Sequence, residues 1–435
     1  MDAAMTKARL SLFLTLFLAV IPPAWSQTSS STPVAGPQEP TPSGPASTAE
    51  PVPAPAPPQP PPPPANPAPT ITAEPGRGIL VKGPGDRYSF GIRARIQFRD
   101  TFLHFDQSDT NEINIRTLRL TVHGNVLSPD LRYTIQLAFG GNDFETGSSS
   151  PIFDAFVDYT RHRDLNIRVG QFFVPFDRAR TIREFALQMV DRQQVVRELT
   201  LDRDVGVMFS STNLFGLHEW LGYNLFIGGG DGRNRFAAYE AGPLAVLRLT
   251  LRPFGTFDDD QEGDLTRAAR PRLALGLAGA YNYKTSRRNS TFGTAFTAGT
   301  VNYTNLAADL VFKYRGFSLL AEGLWRKASE DVLEGTVNGT VTREPTRSGY
   351  GYFVQGGFLV NPTVELTARW EELFARHGTD PQLQQLVQTQ GKQAGGGVNV
   401  YLNGHAFKLQ GDYFYIFGPE GEPRHLARIQ LDASF

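Results

Sequence analysis

The chain has 435 residues, no cysteine and a formal net charge of −1. Lack of cysteine excludes disulfides, thiolate chemistry and a lipid anchor on a modified cysteine, and the near-zero charge argues against nonspecific nucleic-acid binding. Of the 42 basic residues only 7 are lysine; guanidinium pairs with oxyanions through two parallel hydrogen bonds and ammonium does not. A GC-rich genome gives the same excess, so positions matter more than the count.

In chain order, Lys7 and Arg9 precede the apolar run Leu10 to Ile21, followed by Ala24 and Ser26 ahead of Gln27. The run is about twelve residues and a helical span needs about twenty, so residues 1–26 read as a secretory signal peptide. Residues 27–84 then read as a proline-rich, low-complexity linker, with "PVPAPAPPQPPPPPANPAP" at its centre. Proline at that density extends as polyproline II and builds neither helix nor sheet. The expectation is a periplasmic arm without chemistry of its own.

Residues 85–435 read as one domain. Apolar and polar residues alternate with a period of two, the signal of a strand with two unlike faces. In "SFGIRARIQF", Phe90, Ile92, Ala94, Ile96 and Phe98 share one face, and Arg93, Arg95, Gln97 and Arg99 take the other. "RYTIQLAF", "NLAADLVFKYR", "VELTARWEE" and "FKLQGDYFYIF" repeat the pattern. Short links such as "LSPD", "RHRD" and "VNPT" alternate with long polar ones such as "GGNDFETGSSSP" and "KTSRRNSTFGTAFTAGT". Outer-membrane barrels alternate short periplasmic turns with long external loops in this way. One link, "FGTFDDDQEGDLTRAAR", falls where a short turn is expected. Trp220, Trp325, Tyr350 and Trp370 lie near strand ends, as interfacial girdles require. The chain ends on an alternating strand and Phe435, the aromatic terminus that barrel-assembly machinery reads.

The fold class is therefore all-β: a transmembrane antiparallel barrel of about sixteen strands. A barrel of that size encloses water and meets lipid outside.

The stretch "IRVGQFFVPFDR" reads as a strand that ends at Pro175, followed by an arginine-rich segment with six arginines from Arg178 to Arg203. In a pore, such charges meet water and ions, and rings of arginine select anions. Arg178, Arg180 and Arg183 form steps for an anion on this reading, as do Arg93, Arg95, Arg119 and Arg168 on strands. The alternative is that these arginines pair with Glu184, Asp191 and Glu198 and hold the segment shut. His104, His123, His377 and His405 are scattered without a nucleophile motif or metal-ligand spacing, so neither an enzyme nor a metal or other cofactor is expected.

"IFDAFVDYT", "VGQFFVPFDR" and "MVDRQQVVRELTLDRDVGVMF" together resemble the phosphate-selective porins of the O and P type; "YSFGIRARIQFRD" and "INIRTLRLTVHGN" fit that family's first strands. The resemblance implies a homotrimer of sixteen-stranded channels whose third external loop, here about Phe176 to Asp202, folds inward. It implies constriction roles for Arg116 and Arg192, and for Asp154 as a nearby carboxylate. Phosphate, polyphosphate and chloride are the implied solutes. The low lysine count departs from the family's lysine-lined entrances, which keeps a general diffusion porin open as the alternative, with a non-conducting scaffold or adhesin barrel as another.

Overall fold

The computed structural model describes residues 68–435, apart from 107, 142, 145–149, 236–241 and 420–421. The expected signal peptide and most of the proline-rich linker lie outside the described residues. The alternating segments form strands β1 (Thr70–Glu74), β2 (Gly78–Lys82), β3 (Ser89–Phe105), β4 (Ser108–Asn125), β5 (Leu131–Ala138), β6 (Ile152–His162) and β7 (Leu165–Phe173). There follow β8 (Arg203–Ser211), β9 (Leu221–Gly228), β10 (Leu244–Leu251), β11 (Arg272–Thr285), β12 (Val301–Tyr314) and β13 (Phe317–Ala328). The last are β14 (Val332–Val337), β15 (Thr340–Pro345), β16 (Gly349–Leu359), β17 (Val364–Ala375), β18 (Lys392–Asn403), β19 (Phe407–Phe417) and β20 (Arg424–Ser434).

All but β1, β2, β14 and β15 form a closed antiparallel barrel of 16 strands. Closure comes from β20 pairing with β3, from Arg424 opposite Phe105 to Ser434 opposite Arg95. A closed barrel leaves no unpaired edge to face hydrocarbon. No helix among the described residues is long and apolar enough to cross a membrane. The two faces divide as the alternation requires: Phe98 is 47% exposed and its neighbour Gln97 only 2%, one facing outward and the other into the lumen.

We call the end that carries Phe435 the lower end. Lower connections are short except residues 252–271, which turn up into the lumen. There Asp259, Glu262 and Asp264 are buried. Upper connections are long except the first and the last, at 106–107 and 418–423. The upper links hold the β14–β15 hairpin and a helix at Pro381–Gln390.

The linker does not run to residue 84 as a featureless tract. β1 and β2 form a hairpin, Thr70 opposite Lys82 and Glu74 opposite Gly78. β2 then pairs with β3, Ile79 opposite Ile92 and Lys82 opposite Ser89. This is the stretch of β3 that lies below the end of β20, so the hairpin extends the wall at the lower mouth. Gly78 has φ +77°, and a Cβ there would stand 2.0 Å from the Ile92 carbonyl oxygen, so glycine is required.

Candidate functional site

The third upper connection, residues 174–202, enters the barrel. We call it loop 3. It contains α1 (Arg178–Thr181), a 3-10 turn at Glu184–Ala186 and α2 (Gln194–Leu199). Asp177 caps α1, its carboxylate accepting from the Arg180 amide at 2.7 Å. The Glu322 carboxylate of β13 accepts the amides of Arg178 and Ala179 at 3.0 and 3.1 Å. Glu371 of β17 accepts the Gln194 amide at 2.6 Å at the start of α2.

Loop 3 lies against one side of the lumen. Phe176, Ile182, Val195, Val196 and Leu199 pack on Val246, Ala278, Val311, Leu320 and Phe353 of the wall. Each fully buried aliphatic or aromatic side chain of this kind contributes about 1.5–3 kcal/mol. The inner face of β10–β13 and β16 is thus partly apolar, and its polar residues do not all meet water. Asp309, on the polar face of β12, is the buried partner of Arg178 and Arg248, at 2.6 and 2.5 Å.

Wall side chains secure the rest of the loop. Asp191 pairs with Arg99 at 2.9 Å and lies 3.8 and 3.7 Å from Arg116 and Arg428. Glu198 pairs with Arg326 at 2.5 Å and Arg347 at 2.8 Å. Lys408 donates to the Phe185 and Leu187 carbonyls at 2.8 and 2.9 Å. From below, the Glu262 carboxylate accepts the Gln188 amide at 2.6 Å, and Asp259 pairs with Arg178 at 2.9 Å. The irregular lower link and loop 3 therefore meet inside the barrel.

Opposite the packed side, between loop 3 and β3–β8, lies a cavity of about 120 Å³. Arg93 and Arg95 of β3, Arg119 of β4, Arg203 of β8, and Arg183 and Arg192 of loop 3 line it, with Glu184, Phe173, Phe185 and His405. A second cleft below, lined by Glu74, Arg77, Leu80 and His123, shares Arg93 with it. Arg93 thus stands between the cavity and the lower mouth.

Three of these six arginines pair with carboxylates. Arg119 binds Asp143 at 2.6 Å and Glu184 at 2.9 Å. Arg95 pairs with Asp432. Arg203 is sandwiched between Phe153 and Phe173, 3.6 Å from each ring centre, with its Nε 2.8 Å from Asp154. Arg183, Arg93 and Arg192 differ: none has a carboxylate within ion-pair distance among the described residues; Arg192 donates to two carbonyls of loop 3, and Arg93 reaches only the Gly76 carbonyl, at 3.4 Å. Burial lowers the Arg183 pKa, and Arg203, Arg168 and Arg119 push the same way against the pull of Asp154. Glu184 is held well below the usual carboxylate range: burial opposes this, and Arg119, Arg192, Arg116 and Arg180 overcome it.

The seven residues singled out from sequence separate in space. Arg119, Arg183 and Arg192 line the cavity. Arg116 reaches Asp191 because β4 bulges there: Gln97 faces Thr117 and Phe98 faces Ile115, leaving Arg116 without a partner across the ladder. Without the bulge, strict alternation would turn it to the outer face. Asp154 holds Arg203 and lies behind the cavity. Arg178 is buried on the far side of loop 3, and Arg180 is tied to Asp202 at 2.7 Å. Neither lines the cavity. Arg192 donates to the Ala179 and Ile182 carbonyls, so it also closes the loop on itself. Burial and the nearby Arg180 push its pKa down to about 10.

Sequence reading missed Arg203 as a cavity residue, along with Phe185, His405 and the hairpin. The over-long link at 252–271 was the one visible sign of a second inward segment.

Three comparisons with known proteins bear on this geometry. The family model for phosphate-selective porin O and P matches residues 90–415. The outer membrane channel DcaP of Acinetobacter baumannii superposes with a TM-score of 0.50 at 13% identity, covering 81% of this chain and 98% of that one. OmpF of Salmonella typhi, solved in complex with daunomycin, gives 0.52 at 12% identity, covering 80% and 98%. At such identities these two likenesses speak for the fold alone. No curated protein sequence matches the chain.

Proposed function

Since the chain belongs to the phosphate-selective porin O and P family and is an outer-membrane channel, we propose that it passes small anions through the cavity between loop 3 and β3–β8. The observation that carries this is the pair Arg183 and Arg93, two cations in one cavity that among the described residues have no carboxylate partner and, unlike Arg192, do not close loop 3 on its own carbonyls. Paired arginines are spent on the protein's own carboxylates; these two are left for a solute. An anion entering from above meets Arg183 on loop 3, then Arg93 at the exit toward the cleft with Arg77. Several weak stations favour conduction over trapping.

The paired members act differently. Arg119, Arg95 and Arg203 set the shape and background potential of the passage. Arg178, Arg180 and Asp154 are supports. On this reading the lower end faces the periplasm with the proline-rich arm, residues 1–26 are a signal peptide removed on export, assembly proceeds through recognition of Phe435, and three chains associate in the membrane. Inorganic phosphate and chloride are the first solutes to test.

The test is the reversal potential of the purified protein in a planar bilayer under a KCl gradient, repeated with phosphate added. Chloride preference, reduced in Arg183→Gln and Arg93→Gln with retained channel insertion, is expected. Cation preference, or selectivity unchanged in both variants, would contradict the proposal and leave a general diffusion porin.

A further inference from the structure

The cavity is not lined by cations alone. Phe185 follows Arg183 by two residues on the same turn of loop 3, and Phe173 ends β7; both line the space with Ala406. The position of Phe185 is fixed. Lys408 holds its carbonyl at 2.8 Å, the Arg95 guanidinium sits 4.8 Å from its ring centre, and His405 meets it edge to face at 6.0 Å. His405 is in turn held by Gln261 of the lower link, 2.9 Å away.

A strongly hydrated inorganic ion that sheds water here gains nothing from this apolar wall. An anion with a flat apolar body gains twice. Its carboxylate meets Arg183 or Arg93, and its body covers Phe185 and Ala406. Guanidinium groups already positioned over rings, as at Phe185 and Phe153, also stack on the ring of a solute. We infer that the channel favours aromatic carboxylates over aliphatic and inorganic anions of equal charge, with Phe185 as the residue that sets the preference. This deepens the anion-channel reading and rests on it.

The probe is benzoate, compared with acetate and inorganic phosphate, each added to the full chain conducting chloride in a planar bilayer. Benzoate is expected to halve the chloride current at a concentration about three- to fivefold lower than acetate, the scale of one aromatic contact. In Phe185→Ser the two concentrations converge while chloride preference persists. Phe185→Leu, which keeps apolar volume and so keeps the loop packed, gives an intermediate ratio. Equal effects of benzoate and acetate on the native channel, or an unchanged ratio in both variants, overturn the inference while the anion channel stands. A native channel without chloride preference overturns the anion reading itself, and this inference with it.

Discussion

The Arg178 guanidinium bridges two carboxylates that come from different parts of the barrel, Asp309 on the β12 wall at 2.6 Å and Asp259 on the lower link at 2.9 Å. It is the point at which loop, wall and link are joined. Burial works against its charge, and the two carboxylates more than offset that, raising its pKa. Arg178→Met leaves each carboxylate with one remaining arginine, Arg248 or Arg252. Stranding a buried charge costs about 3–5 kcal/mol, and the surviving partners place this case near the lower bound. Faster amide exchange over residues 174–202, with the barrel strands still protected, is the expected result. Uniform exchange across the barrel would show that Arg178 supports the whole fold instead.

Asp191 offers a test of opposite sign. It neutralises Arg99 and lies close to Arg116 and Arg428. Asp191→Asn removes one negative charge from among three cations. Anion preference in the reversal potential should therefore rise, whereas Arg183→Gln should lower it. An unchanged reversal potential in Asp191→Asn would place Asp191 outside the field that the solute senses.

Acid resistance follows from the loop carboxylates. Burial alone would raise Glu184 and Asp191; Arg119 and Arg192 beside the first, and Arg99 and Arg116 beside the second, hold both well below the usual range. A carboxylate depressed in the folded state contributes stability that is fully present above its unfolded pKa. That stability is lost as pH falls through the folded value. Unfolded Asp and Glu titrate at about pH 4, so the ion pairs of Glu184 and Asp191 should stay intact from neutral pH to about pH 4 and weaken only in stronger acid. Single-channel current noise recorded at stepwise lower pH checks this, and noise that grows already near pH 6 would contradict it.

Arg192 and Arg183 line the same cavity and should still behave differently. Arg192 closes loop 3 onto the Ala179 and Ile182 carbonyls. Arg192→Ala should therefore lower selectivity and also raise current noise, because buried carbonyls lose their donors at about 1–3 kcal/mol each. Arg183→Gln should lower selectivity with quiet current. Quiet recordings from both would reduce Arg192 to a charge.

Deleting residues 70–83 removes the hairpin and leaves Arg93 and Arg183 in place. The barrel should still close, because β20 pairs with β3 above this level. Heat-modifiable migration in detergent gels should persist and chloride preference should hold, with a larger conductance from the widened lower mouth. Loss of folded migration would make the hairpin part of the barrel's closure.

The wall was legible in the sequence because period-two alternation is a direct image of two solvents, and Gln97 beside Phe98 shows it at single-residue scale. The departure of the chain at Pro175 was legible for the same reason. The division of labour among the arginines was not. Arg178 and Arg183 lie five residues apart on one polar segment, and only the path of loop 3 sends one into a packed interior and the other to the cavity. Arg116 depended on a bulge that no local residue pattern announces. The hairpin was masked by the proline-rich tract before it, although Ile79, Leu80 and Val81 between two turn glycines are ordinary strand residues.

Loop 3 leans on one arc of the barrel, and this has an evolutionary consequence. Strands β10–β13 and β16–β20 use inner side chains mainly to hold the loop, with Arg99 and Arg119 of β3 and β4 helping, while Arg93, Thr121 and Gln136 of β3–β5 face the passage. Substitutions at Thr121 or Gln136, which line the cavity, can therefore retune what passes without touching the contacts that keep the loop seated. A lineage built on this plan is free to exchange diets while its scaffold stays still.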